Sequence, residues 1–193
     1  NKYIPEDTTH IVEPFCGSAA LAFSHDKEFL ISDMSPELIN LYDVLMSESV
    51  PRLLSKAQIL SGSHSKENYM IVRGLDRTPD FICDRASSRI ARAARYIYII
   101  FHGFNGLYRV NQSGHCNVPY GSDARKFPDD ISTTLKDCSK HLKKNCKHLS
   151  FSSFNSDENE NALIQTIDAG GKPFVLIDPP YADRDGGVKV FRE

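Results

Sequence analysis

The 193 residues contain no tryptophan, no Cys-x-x-C pair and no apolar run near the ~18 residues needed to cross a bilayer. The missing run excludes a helical membrane span. The five cysteines, Cys16, Cys83, Cys116, Cys138 and Cys146, are odd in number and scattered. That pattern argues against a disulfide framework and a zinc site, and reduced thiols as in a cytosolic protein are the default. No histidine motif accompanies Cys16, so it reads as a buried thiol rather than a nucleophile. The opening Asn1-Lys2-Tyr3-Ile4-Pro5 is no signal peptide. Charge of either sign is not in excess: the net value is −2, which excludes a wholly basic nucleic-acid binder. There is no internal repeat, no low-complexity linker and no G-x-G-x-x-G fingerprint. What is there is ordinary: 40% hydrophobic, 25% charged, with 11 Gly and 10 Pro. This is the composition of a soluble globular chain, of a length that suits one domain or a domain with an insertion.

Taken in order, Thr9 to Phe15 reads as a first strand, and Gly17-Ser18-Ala19-Ala20 opens a helix through Phe23. A strand-to-helix turn of small residues lets a ligand approach the backbone. Phe29-Leu30-Ile31 is a second strand, with Asp33 just past its end, placed to accept hydrogen bonds from ribose hydroxyls. Ser35, Pro36 and Glu37 start a helix whose apolar face is Leu38, Leu41, Tyr42 and Leu45. The βα alternation then stops. Helices are predicted over 51–60, 65–75 and 85–101, the last with Ile90, Ala94, Ile97, Tyr98 and Phe101 on one face. Residues 104–110 and 115–121 flank the polar turn Asn111-Gln112-Ser113-Gly114 and predict a β-hairpin, with Pro119 confined to an edge or an end. A helix over 129–145, a strand over 148–152 and a helix over 158–167, ended by Gly170-Gly171, follow.

Lysine and arginine cluster locally on this near-neutral chain. Arg85, Arg89, Arg92 and Arg95 form one helical row; Lys136, Lys140, Lys143, Lys144 and Lys147 form another. Each row reads as a solvated helix face, and together they permit a local phosphate-contacting surface.

The last motif is Asp178-Pro179-Pro180-Tyr181, after the apolar run Phe174-Val175-Leu176-Ile177 that reads as a buried parallel strand. The C-terminal end of such a strand is where open α/β sheets bind ligands. The prolines stiffen the exit and leave the carbonyls of Asp178 and Pro179 free to accept. A rigid acceptor pair beside an aromatic face suits a planar ring bearing an exocyclic amino group.

Three stretches occur here in a fixed order: Glu13-Pro14-Phe15-Cys16-Gly17-Ser18-Ala19, then Phe104-Asn105-Gly106-Leu107-Tyr108-Arg109 with Asn117-Val118-Pro119-Tyr120-Gly121, then Asp178-Pro179-Pro180-Tyr181. In them the chain resembles the Dam-type (D12 class, α-group) adenine-N6 DNA methyltransferases over nearly its whole length. The resemblance implies an α/β, Rossmann-like S-adenosylmethionine-dependent methyltransferase sheet with a helical, hairpin-bearing target-recognition insertion. The catalytic domain would comprise 1–48 and 148–193. The insertion would be 49–147, with its hairpin over 104–121. By the same resemblance S-adenosyl-L-methionine is held by Glu13, Pro14, Phe15, Cys16, Gly17, Ser18, Ala19, Asp33, Phe154, Asn155 and Asp178. The family usually has a second glycine where Ala19 stands. Catalysis falls to Asp178, Pro179, Pro180 and Tyr181, and DNA recognition to Phe104, Asn105, Leu107, Arg109, Asn117, Pro119 and Tyr120. The implied target is a flipped adenine in duplex DNA within GATC. A cognate restriction endonuclease is an implied partner, and the implied setting is the cytoplasm of a bacterial or phage-infected cell.

Two departures bear on this reading. No Trp/Phe-x-Gly-Gly-Lys segment of the family precedes Asn1, and only twelve residues follow Tyr181. The expectation is an internal segment, truncated at both ends, that alone binds cofactor weakly and methylates poorly. The rival activities are N-methylation of RNA or of protein glutamine, which more often uses Asn at the position of Asp178 and needs no hairpin. A rival of another class is a non-catalytic DNA-binding remnant, against which the intact motif at Asp178 argues.

Overall fold

The computed structural model describes residues 3–124, 126–153 and 155–179. Two compact units emerge. The first is Asn1–Ile39 with the described residues from Cys138 onward, and the second is Asn40–Asp137.

The first unit is built on four parallel strands: β1 (His10–Glu13), β2 (Glu28–Asp33), β3 (Cys146–Phe151) and β4 (Pro173–Val175). Their order is β3-β2-β1-β4. The helices between them are α1 (Ala20–Phe23), α2 (Pro36–Met46), whose later turns belong to the second unit, and α7 (Asp157–Asp168). Ile11, Phe29 and Ile31 fill the sheet core at 0–1% exposure. This is the α/β sheet that the alternation near the N-terminus predicts. The run Phe174–Ile177 departs from its predicted burial. It pairs in parallel with β1, and the Leu176 N–H extends the ladder by donating to the Val12 carbonyl (2.8 Å). Yet Val175, Leu176 and Ile177 are 40%, 37% and 57% exposed. β1 is its only strand neighbour among the described residues, so the other edge of β4 has no strand beside it.

The second unit is helical: α3 (Val50–Gly62), α4 (Lys66–Gly74), α5 (Ala86–His102) and the start of α6 (Ile131–Asn145). Ser65 caps α4 by accepting the Asn68 N–H. Ile90, Ala94, Ile97 and Tyr98 of α5 are buried as their spacing predicts. The arginine row is not one solvated face. Arg85 is exposed, Arg89 pairs with Asp43, and Arg95 is 0% exposed. Ten residues of α-helix fall about 80° short of whole turns, which carries Arg95 off the outer face.

Residues 103–121 double back, but not as a strand ladder. A single 3₁₀ turn (Phe104–Gly106) opens the first arm, with Asn105 and Gly106 at φ 55° and 67°. Two isolated antiparallel bridges, Gly103↔Tyr120 and Val110↔Cys116, join the arms. The left-handed pair turns the first arm aside, Pro119 has no N–H to give, and side chains from α4 take the second arm's carbonyls. At the tip Asn111 Oδ1 accepts from the N–H groups of Ser113 and His115, each at 3.0 Å. Cys116 and Val118 pack with Tyr69, Val72, Tyr98 and Ile99, so the second arm is part of the helical core. No helix among the described residues is long and apolar enough to cross a membrane.

The base of the hairpin is closed by backbone contact. A Cβ on Gly103 would lie 2.6 Å from the Ile99 carbonyl and 2.8 Å from both Tyr69 Oη and Val118 Cγ1. Gly103→Ala is expected to destabilise the protein by roughly 2–3 kcal/mol in urea unfolding. Gly114→Ala, with φ +76° but nothing within 4 Å, should cost only about 1 kcal/mol. Equal costs at the two positions would contradict the packing assigned to Gly103.

Candidate active site

The turn after β1 is fastened to the C-terminal end of β2. The Cys16 N–H donates to the Ser32 carbonyl (2.9 Å), and Ser32 Oγ donates to the Pro14 carbonyl (3.2 Å). Asp33 completes the attachment: Oδ2 accepts the Gly17 N–H (3.0 Å) and Oδ1 accepts the Ser35 N–H (2.8 Å). One carboxylate thus holds the glycine turn and the entry to α2. Gly17 and Ala19 sit at φ 47° and 49°, both left-handed. Glycine takes this conformation freely and alanine only under constraint, which the bonds around Ala19 supply. A Cβ on Gly17 would meet nothing within 4 Å, so this edge of the turn faces open space.

Glu13 ends β1 at 5% exposure and accepts the Ala22 N–H at 2.7 Å, capping the first turn of α1. Burial raises its pKa, and the amides of Ala22 and Leu21 pull the other way. Burial also pushes the Cys16 thiol up, helped by the carboxylates of Asp33 and Glu13. A thiol so raised is no nucleophile, as its lack of a histidine partner predicts.

These residues open onto a cleft of about 390 Å³ lined by Glu13, Phe15, Cys16 and Ser18 from the first turn and by Leu176 and Asp178 after β4. The chain runs β1 to β2 to β3 on one side and returns to β4 on the other. The cleft therefore lies where the strand order reverses, the usual ligand position of an open parallel sheet. A larger hollow, about 610 Å³, sits at the opposite strand ends. Its central carboxylate, Glu28, is already shared by His10 Nε2 (2.9 Å) and Lys147 Nζ (2.8 Å).

Asp33, Pro14, Gly17 and Ala19 do not line the cleft; Asp33 bonds Gly17, which stands between the lining residues Cys16 and Ser18. Asn155 is exposed, its Oδ1 accepts from Ser153 Oγ (2.9 Å), and it is not among the residues lining this cleft. Pro179 is exposed. Phe154, Pro180 and Tyr181 lie outside the described residues.

Sequence reasoning missed Ser32 and Asn159. The Asn159 amide makes four bonds. Nδ2 donates to Ser32 Oγ (2.9 Å) and the Ser153 carbonyl (2.8 Å), while Oδ1 receives His148 Nε2–H (3.0 Å) and Ser150 Oγ–H (2.8 Å). The relay Asn159 to Ser32 to Pro14 ties α7 and β3 to the glycine turn. The one available signal was Asn159 standing three residues after Ser156, which caps α7 by accepting its N–H.

In the second unit, Phe104, Leu107 and Asn105 are exposed on the first arm of the hairpin. The Arg109 guanidinium has no hydrogen bond or ion pair among the described residues, and the Arg109 carbonyl accepts the Asn117 N–H (3.2 Å). Asn117 Oδ1 is buried without a hydrogen-bond partner. Pro119 is exposed and its carbonyl accepts the Phe104 N–H (2.9 Å). Tyr120 instead turns its ring onto Tyr69 and His64, with centroids at 5.6 Å, and gives its hydroxyl to Asp123.

The family model described as D12 class N6 adenine-specific DNA methyltransferase matches residues 1–191. Type II methyltransferase M1.LlaDCHI of Lactococcus lactis subsp. cremoris is 35% identical over 180 residues, 92% of this chain and 58% of that protein. The Retron Ec67 DNA adenine methylase of Escherichia coli is 31% identical over 183 residues, 93% of this chain and 57% of its own. The DNA adenine methylase of Vibrio cholerae serotype O1 is 32% identical over 128 residues, 65% and 43% of the two chains. The chain spans about half the length of the curated relatives it matches.

The buried Glu13 carboxyl gives this site a pH signature. Its pKa is raised on folding, so the folded state holds the proton more tightly than the unfolded chain does. Stability from this group is full below the unfolded pKa and lost as pH rises through the folded value. Relative to Glu13→Gln, the wild type is expected to gain stability as pH falls from neutral towards 4.5, the ordinary glutamate value. Urea unfolding at stepped pH measures the difference, and a flat profile would refute the assignment.

Proposed function

Since the chain belongs to the D12 class N6 adenine-specific DNA methyltransferases, we propose that the protein methylates N6 of a flipped-out adenine in duplex DNA, within GATC, using S-adenosyl-L-methionine. The observation that carries this reading is the cleft in which the Glu13–Ser18 turn meets Asp178. The residues present fit that cofactor. The turn faces open space at Gly17, and each Asp33 oxygen keeps a second lone pair for a hydroxyl. Phe15 to Ala19 would hold the methionine part and Asp33 the ribose, with Phe154 and Asn155 towards the adenine ring. When bound, the cofactor supplies an electrophilic sulfonium methyl.

The chain's own residues prepare the acceptor. The N6 lone pair of adenine is delocalised into the ring and is a poor nucleophile. Hydrogen bonds from the amino group to the Asp178 carboxylate and the Pro179 carbonyl favour a pyramidal nitrogen and localise the lone pair. Fixed acceptors supply this without reorganisation. Asp178 need not be a strong base, because the amino proton becomes acidic as the nitrogen is alkylated. The base reaches the site only after leaving the duplex, and stacking on Tyr181 holds it there.

Recognition falls to the hairpin. Arg109 donates two hydrogen bonds to guanine O6 and N7, Leu107 and Pro119 contact a thymine methyl, and Phe104 and Asn105 fill the gap left by the flipped base. The exposure of Phe104, Asn105 and Leu107 and an Arg109 guanidinium without a hydrogen bond or ion pair among the described residues support this. The same reading carries a cognate restriction endonuclease as partner in a modification system.

DNA from cells expressing the full natural chain is expected to resist methylation-sensitive GATC nucleases and to be cut by methylation-dependent ones. Asp178→Ala should abolish that protection while leaving duplex binding nearly unchanged. Protection that survives Asp178→Ala would remove Asp178 from catalysis. Arg109→Ala is expected to lower the preference for the cognate site over a guanine-substituted one by roughly 5- to 150-fold, the equivalent of about 1–3 kcal/mol. Cofactor binding should be unaffected, and an unchanged preference would count against the hairpin as reader.

A further inference from the structure

Arg95 is fully buried in the middle of α5, and every arm of its guanidinium is engaged. Nε donates to the Val72 carbonyl (2.9 Å), Nη2 to the Arg73 carbonyl (2.6 Å) and Nη1 to Tyr108 Oη (3.1 Å). Nη2 also pairs with Asp76 Oδ2 at 2.8 Å. That same oxygen accepts the Cys116 N–H at 2.6 Å, and Oδ1 takes Arg77 Nη1 at 2.9 Å. One ion pair therefore holds both arms of the hairpin. Tyr108 lies one residue before Arg109 on the first arm, and Cys116 lies one before Asn117 on the second. Side chains from α4 hold the second arm further: Tyr69 Oη (3.1 Å) and Arg73 Nη1 (3.0 Å) both donate to the Val118 carbonyl.

The arms need such a fixture, since only two isolated bridges join them directly. A buried ion pair is a poor source of net stability, because desolvating two charges offsets most of their attraction, and apolar residues of similar volume often serve as well. What an ion pair supplies that an apolar pair does not is direction. The guanidinium plane and the carboxylate fix where the Tyr108 hydroxyl and the Cys116 amide must lie.

We propose that Arg95 and Asp76 are positioning residues for target recognition, setting the register of the two hairpin arms and thereby the reach of Arg109 to its base. The proposal rests on the reading of the hairpin as the DNA-recognition element. Arg95 and Asp76 touch neither DNA nor cofactor; they act through Tyr108 and Cys116.

The test measures kcat/KM of the full natural chain on a cognate duplex and on one with the recognised guanine replaced, and reports the ratio. Asp76→Asn keeps an acceptor for the Cys116 N–H without the charge. Tyr108→Phe removes only the hydroxyl that Arg95 holds, so it spares the fold. The double variant Arg95→Met/Asp76→Leu removes the charges together. The ratio is expected to fall by roughly tenfold in the double variant and less in the single ones. S-adenosylhomocysteine affinity should stay at the wild-type value in all three. A merely structural role would lower activity on both duplexes in proportion and leave the ratio fixed; a fixed ratio in Tyr108→Phe and Asp76→Asn overturns the proposal, whether or not the double variant folds. Arg109→Ala run alongside separates the two failures. If it lowers the ratio and the other variants do not, only the positioning role falls. If it too leaves the ratio fixed, the reading of the hairpin falls with it.

Discussion

The Asp33 carboxylate is the fixture on which the candidate cofactor site depends. The turn after β1 needs two left-handed residues, Gly17 and Ala19, and such a backbone has no intrinsic preference for one shape. β2 supplies the shape. Its last two residues hold the turn at Pro14, Cys16 and Gly17, through the Ser32 hydroxyl, the Ser32 carbonyl and the Asp33 carboxylate. β2 lies between β1 and β3, so these anchors are themselves held on both sides. Because Asp33 already takes two backbone N–H groups, any hydroxyl it binds meets a carboxylate whose direction is set beforehand. Preorganisation of this kind reduces the ordering cost of binding.

Buried charge is handled in two different ways, each beneath a segment assigned a function. Glu13 is a carboxyl placed against the first amides of α1, where free N–H groups favour its charged form. The cap offsets only part of the desolvation, which is why its pKa still rises. Arg95 is a cation among carbonyls at the end of α4 and a single carboxylate, and each of its three nitrogens is engaged. Removing one partner from either arrangement would strand a buried charge, which costs more than the intact arrangement contributes.

Much of this was legible because strand ends and motifs are local. The 3.6-residue spacing of Ile90, Ala94, Ile97 and Tyr98 was sufficient to define α5, and the turn chemistry of Asn111 and Gly114 to define the hairpin tip. Arg95 was not legible. A row of arginines looks solvated until Asp76 and Tyr108, 19 residues before and 13 after it, are brought to its side by tertiary packing. The strand-favouring residues of the hairpin predict two paired strands. Its ladder is replaced by side-chain contacts from Tyr69, Arg73 and Asp76, which no local pattern encodes. Ser32 and Asn159 escaped for a similar reason, since the amide of one meets the hydroxyl of the other across 127 positions.

The remaining gap between sequence and structure concerns Phe174 to Ile177. An apolar run states that a segment favours a sheet; it does not state how many neighbours the segment has. β4 returns to the far side of β1, so the ends of β1 and β4 lie side by side where the strand order reverses. Two motifs some 160 positions apart consequently face one cleft, although neither contains a residue that would specify the other. The topology brings Asp178 to the Glu13–Ser18 turn, and a proline following Pro179 in the sequence restricts which way the Pro179 carbonyl can point. A parallel order that kept β4 on the β3 side would preserve every residue of both motifs and separate them by the width of the sheet. The chemistry proposed for Asp178 is therefore a property of strand order as much as of the tetrapeptide that carries it.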